Sequence, residues 1–168
     1  MRHATKAILL LAAAALSACS STGADRFGDG AGGPGSGITS GSISDPTSVA
    51  YFQQTVGDRV LFVVDTSTLT PEAQNTLMGQ AQFLMANGDY TAIIEGHADE
   101  RGTREYNLAL GARRAASVQE FLVSQGVASS RLRTVTYGKE RPLEICSDEA
   151  CYAQNRRAVT VLGAGLGS

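Results

Sequence analysis

Between Arg104 and Gly126 the chain reads REYNLALGARRAASVQEFLVSQG, flanked by YTAIIEGH at 90–97 and RLRTVTYG at 131–138. The flanks are rich in β-branched residues and read as strands. The middle carries Leu110, Val118 and Phe121 at positions i, i+8 and i+11, one face of a helix that ends at Gly126. A strand, a long helix and a strand in that order form a βαβ unit, and few folds accommodate one in a chain of 168 residues.

The rest of the chain extends this unit. RVLFVV at 59–64 reads as a further strand. After it, Thr70 is placed to cap a helix, Pro71 to occupy its first position and Glu72 to complement its dipole. Leu77, Ala81 and Leu84 give that helix its apolar stripe, and Asn-Gly-Asp at 87–89 stops it. DEACYAQN at 148–155 suggests a short helical turn, and RRAVTVLG at 156–163 a fourth strand. The order is βαβα followed by two strands. The expected fold is an α/β (α+β) sandwich, with two main helices packed on a four-stranded mixed sheet.

The N-terminus has a different texture. MRHATK is basic, and AILLLAAAAL is an apolar run of ten residues, a secretory signal pattern too short to span a bilayer. Residues 1–18 are therefore expected to be removed. Losing Arg2 and Lys6 turns the formal net charge of −2 into −4, which gives no support to an electrostatic nucleic-acid binder. Leu16-Ser-Ala-Cys19 resembles a lipobox, in which the cysteine is acylated and becomes the new N-terminus. In the lipoproteins this resembles, aspartate at the next position favours retention at the inner membrane, so the resemblance with Ser20 there implies an outer-membrane destination. Multiple acyl chains would anchor the chain stably, at about 0.8 kcal/mol per buried methylene. Residues 19–48 are rich in Gly and Ser and show no hydrophobic period, so they read as a disordered tether. Its reach would be roughly 30 Å root-mean-square and about 100 Å extended. Residues 49–168 then make the folded domain.

The densest chemistry lies in IIEGHADERGTREYN, residues 93–107. On the helix that follows, Arg114 falls on the apolar stripe, four residues from both Leu110 and Val118, whereas Arg113 is turned about 100° away. Arg113 reads as a solvated charge. Arg114 must either snorkel or meet an anion, because a guanidinium is costly to desolvate alone. Asp99, in the loop leading into the helix, is the nearest carboxylate in this arrangement. The pair could be a structural salt bridge. Alternatively, Asp99 and Arg114 could flank a cleft and share a zwitterionic ligand, the aspartate taking an ammonium and the arginine a carboxylate through its planar fork.

Catalysis and metal binding fit less well. His97 is the single histidine after residue 18, and there is no G-x-S-x-G or H-E-x-x-H. Cys146 and Cys151 are not spaced as a C-x-x-C ligand pair. They could form a disulfide in an oxidising compartment, contributing about 2 kcal/mol, or remain as two thiols. No cofactor is implied.

EGHADERGTREYNLALGARRAASVQEFL, YGKERP and NRRAVTV together resemble the family of outer-membrane protein A C-terminal-like domains, and within it the peptidoglycan-associated lipoproteins. The resemblance covers roughly 59–162. It implies an OmpA-like sandwich that is no enzyme but binds peptidoglycan non-covalently, through the meso-diaminopimelate of the stem peptide. The family's key aspartate falls on Asp99 and its key arginine on Arg114. Asn107 matches a family asparagine near the ligand, and Asp65 and Thr66 match a loop that approaches it. Here the chain departs from the family's Phe-Asp-Phe-Asp pattern, with Val63 and Val64 in place of its first aspartate and second phenylalanine. Arg156 and Arg157 match an arginine pair near the site, and the resemblance does not choose between them. It also implies work with the Tol system, through the periplasmic β-propeller TolB, in holding the outer membrane to the wall during cell division. The rival readings are a structural lipoprotein whose charged loop is only a salt-bridge network, and a hydrolase of the same polymer.

Overall fold

The computed structural model of the chain describes residues 41–145 and 147–164, so Cys19, most of the tether and Cys146 lie outside the described residues. The first described element was not expected from the sequence. Helix α1 (Val49–Tyr51) runs directly into a π-helical turn over Phe52–Gly57. Ser48 starts it by accepting a hydrogen bond from Tyr51 N at 3.0 Å. Its single fully buried side chain, Phe52, packs against Phe83 at 4.9 Å between ring centroids. One apolar anchor in nine residues leaves no periodicity to read.

Strand β1 (Arg59–Leu61) is shorter than the expected 59–64. Its partner strand ends first. Leu61 pairs with Arg157, Phe62 N donates to Arg156 O, and the residues before Arg156 are helical. Past that point Val63 and Val64 are exposed, and Asp65 takes a positive φ of 56°.

Helix α2 (Pro71–Ala86) begins as the sequence indicates, with Thr70 accepting from Ala73 N, and buries Leu77, Ala81 and Leu84. Strand β2 (Tyr90–His97) follows, then helix α3 (Arg104–Ser124), capped by Thr103. A 3-10 turn at Ser129–Arg131 leads into strand β3 (Leu132–Gly138). Helix α4 (Glu149–Asn155) is capped by Asp148 and feeds strand β4 (Arg157–Ala164).

The sheet order is β1-β4-β2-β3. β2 and β3 are parallel, joined by α3 as the βαβ reading requires, and β4 lies antiparallel to both β1 and β2. Leu77 and Leu84 from α2, Val118 and Leu122 from α3, and Ile94 from β2 form the core between the helices and the sheet. Along β2 the burial alternates, so Ile94 is buried while Ile93 faces outward.

Helix α3 lies unusually close to β2 at one crossing. A methyl group on Gly96 would run into the Gly111 carbonyl, and one on Gly111 would run into Thr136 Oγ1. Two glycines face to face let the helix approach this near, and this crossing sets the depth at which Arg114, three residues on, meets the end of β2.

Candidate functional site

Three turns of α3 present Tyr106, Leu110 and Arg114 at intervals of four, a single ridge of the helix. That ridge forms one wall of a cleft of about 490 Å³. The opposite walls come from Val64 and Asp65 after β1, Asp99 and Arg101 after β2, and Arg156 before β4. Asn107 and Gly102 complete it. Four stretches of the chain thus converge at the ends of β1 and β2 and the start of β4.

Arg114 is fully buried, as its place on the apolar stripe implied, while Arg113 is exposed. It neither snorkels nor pairs directly with Asp99. Its guanidinium donates from Nε to Thr66 O at 2.8 Å, from Nη1 to His97 O at 2.8 Å and from Nη2 to Val63 O at 3.3 Å. These carbonyls sit where β1 and β2 end and the sheet no longer occupies them. A guanidinium has five N–H groups, so one on each terminal nitrogen remains. The Phe62 ring lies 5.1 Å from its central carbon. Burial lowers the Arg114 pKa to about 10, against the pull of Asp99 and Asp65, so it stays cationic at neutral pH.

Asp99 is also buried. Its Oδ2 accepts from Arg101 Nη2 at 2.6 Å and from Arg156 Nη1 at 3.2 Å, and its Oδ1 accepts from the Arg101 backbone N–H at 3.2 Å. Burial pushes the Asp99 carboxyl up, and the hydrogen bonds from Arg101 and Arg156 outweigh it, leaving the group below its ordinary value. The direct Asp99–Arg114 salt bridge considered from the sequence is not formed; the aspartate's ion-pair partners are Arg101 and Arg156.

The remaining residues divide. Asp65 lies on the rim, where its Oδ1 accepts from the Tyr106 hydroxyl, an interaction that holds the phenol above its ordinary pKa. Asn107 is buried and donates to Arg101 O at 2.7 Å, bracing the loop after β2. Thr66 does not line the cleft and reaches it through its carbonyl, which accepts from Arg114. Of the arginine pair, Arg156 lines the cleft and bonds to Phe62 O, Asp99 and Glu149. Arg157 instead donates to Asn155 O and Arg141 O. Sequence reading missed Tyr106 and Arg101 as part of this cleft. Counting back in fours from Arg114 finds Tyr106; Arg101 has no such periodic signal.

His97 does not face the cleft with its ring. The imidazole is buried, neither nitrogen has a hydrogen-bond partner, and Tyr137 lies 5.5 Å away. Among the described residues, no group of three or more His, Cys, Asp or Glu could hold a metal ion. Cys151 is disulfide-bonded; its expected partner, Cys146, is outside the described residues.

The cleft therefore offers a buried carboxylate, and in Arg114 a buried guanidinium with donors to spare. Residues 61–156 match the OmpA family. The chain is 56% identical over 130 residues to the peptidoglycan-associated lipoprotein of Mesorhizobium japonicum, covering 77% of each. It is 44% identical over 160 residues to that of Pseudomonas aeruginosa, covering 90% of this chain and 92% of the relative. The crystal structure of the peptidoglycan-associated lipoprotein from Burkholderia pseudomallei superposes with a TM-score of 0.64 at 38% identity, over 72% of this chain and 98% of that one. By fold, by sequence and by extent of coverage, the chain belongs to the OmpA family and, within it, to the peptidoglycan-associated lipoproteins.

Proposed function

We propose that this chain binds peptidoglycan non-covalently by holding the zwitterionic end of meso-diaminopimelate between Asp99 and Arg114. The carrying observation is that opposite charges, both buried and both rigidly held, line one cleft of about 490 Å³. The free N–H groups of Arg114 take the ligand carboxylate. Asp99 takes the ammonium, and Asn107, Asp65 and the Val63–Thr66 backbone shape the mouth. The chain does this as a binding module, not a hydrolase.

In the same reading, residues 1–18 are a signal peptide, Cys19 carries the lipid and residues 19–48 tether the domain at 49–168 to the outer membrane. The domain faces the periplasm and works with the Tol system through TolB. Among the described residues no helix is long and apolar enough to cross a membrane. Cys19→Ser should release the protein from the outer-membrane fraction with the domain folded; membrane retention of that variant contradicts the anchor.

A second reading, a scaffold with no wall contact, draws on Asp99's two arginine partners. One experiment separates the readings. The folded domain is incubated with purified peptidoglycan. Co-sedimentation without soluble fragments supports the clamp, released muropeptides support a hydrolase, and neither outcome leaves the scaffold.

A further inference from the structure

The Asp99 carboxylate holds two guanidiniums, and they are not held alike. Arg156 is fixed at three points: Nε to Phe62 O at 3.1 Å, Nη1 to Asp99 and Nη2 to Glu149 at 2.7 Å. Its side chain is 7% exposed. Arg101 has no backbone carbonyl on its guanidinium, and its side chain is 45% exposed. It also has somewhere else to go. Its Nη1 lies 3.5 Å from Glu149 Oε2, and its central carbon is 4.7 Å from the centre of the Tyr152 ring. The guanidinium can leave Asp99 and keep both of those partners, while its backbone N–H stays on Asp99 Oδ1.

We propose that Arg101 is a displaceable internal cation that competes with the ligand's ammonium for Asp99 and thereby sets which ligands the cleft accepts. This rests on the wall-binding reading above. A ligand that brings an ammonium replaces the Arg101 guanidinium, which moves onto Glu149 and Tyr152. A ligand that brings carboxylates alone leaves Arg101 in place and meets an aspartate whose charge is already matched. Arg101 therefore lowers affinity for the zwitterion and softens repulsion of ammonium-free anions. Arg156 performs no such exchange, because leaving Asp99 would strain its bonds to Phe62 O and Glu149.

The test is a pair of titrations of the folded domain with Arg101→Gln, and with Arg101→Ala in case glutamine re-forms the hydrogen bond. One titrant is a soluble stem peptide containing meso-diaminopimelate. The other is the same peptide with the side-chain ammonium replaced by hydrogen. The first should bind roughly two- to fivefold tighter than to wild type and the second weaker by a similar factor, the range for a half-exposed ion pair. Opposite signs support the proposal. Weakening of both means that Arg101 touches the ligand directly, and tightening of both or no change means that it exchanges with nothing; each of these overturns it. The underlying reading fails separately, if Asp99→Asn in the otherwise wild-type domain leaves the diaminopimelate affinity unchanged.

Discussion

Arg114 Nη1 donates to the carbonyl of His97 at 2.8 Å, which ties the helix carrying the cleft's arginine to the strand leading into its aspartate two residues later. The site is thus part of the fold's own hydrogen bonding. Truncating Arg114 to alanine removes the guanidinium from the carbonyls of Thr66 and His97, leaves that of Val63 to Thr66 alone, and opens a cavity. The expected loss is about 3 kcal/mol or more, read by thermal or denaturant unfolding. Arg113→Ala, at an exposed position on the neighbouring face, should stay within about 0.5 kcal/mol. Equal losses would mean that the Arg114 carbonyl contacts contribute nothing.

The same coupling makes Arg114→Ala a poor binding probe, and Asp99→Asn a better one. Asparagine keeps the size of the side chain and removes the charge that, in the proposed clamp, would meet an ammonium. It should reduce affinity for a diaminopimelate peptide roughly tenfold to a hundredfold. A soluble peptide is the right titrant, because avidity along polymeric wall would conceal part of the loss.

Gly96→Ala and Gly111→Ala should each lower stability by about 1–3 kcal/mol, since each methyl would push α3 off β2. The displacement moves the helix that carries Tyr106, Leu110 and Arg114, so peptide binding should fall even at temperatures where the variants remain folded. Melting curves and titration together check both halves of this prediction.

Acid should destabilise the domain in a window owed to His97. Burial, then the charges of Arg157 and Arg141, lower its folded pKa from 6.5 to about 4. The folded pKa is depressed, so the unfolded chain takes up the proton first. Stability is then full above about pH 6.5 and lost as pH falls towards 4, by about 3 kcal/mol. Asp99, whose carboxyl is also depressed, adds its loss only below its ordinary value of 3.8. His97→Gln should flatten the profile between pH 6.5 and 4; an unchanged slope would assign the acid sensitivity elsewhere.

Asp65 holds a φ of 56°, the single non-glycine residue with positive φ among the described residues. Asp65→Gly should change stability by less than about 1 kcal/mol, as relief of backbone strain offsets the lost Tyr106 contact. Asp65→Val should cost about 1–2 kcal/mol more, because a β-branched residue is a poor occupant of that region. Parallel denaturant titrations distinguish the two.

Much of this was legible in the chain itself. The βαβ unit, the Thr70-Pro71-Glu72 helix start and the presence of four strands follow from periodicity and capping, which are local. The burial of Arg114 followed from its place on an apolar stripe. What it met there did not, because the carbonyls of Val63, Thr66 and His97 come together only where two strands end side by side, a property of the assembled sheet. Strand β1 was overestimated for a related reason: Val63 and Val64 have strand propensity, but β4 offers them no partner. The choice between Arg156 and Arg157 depended on which side of β4's start each side chain leaves, and two adjacent identical residues carry no signal for that. The helical segment at 49–57 rests on one buried aromatic and was invisible to periodicity.

The clamp itself is tested most directly by calorimetric titration of the wild-type domain with two stem peptides that differ only in the third residue, meso-diaminopimelate in one and lysine in the other. Lysine keeps an ammonium for Asp99 and removes the carboxylate that the two free N–H groups of Arg114 would hold. The diaminopimelate peptide should bind at least about tenfold tighter, as expected for one lost charge-assisted contact. Equal affinity for the two peptides would contradict the clamp, even in a protein that co-sediments with the wall.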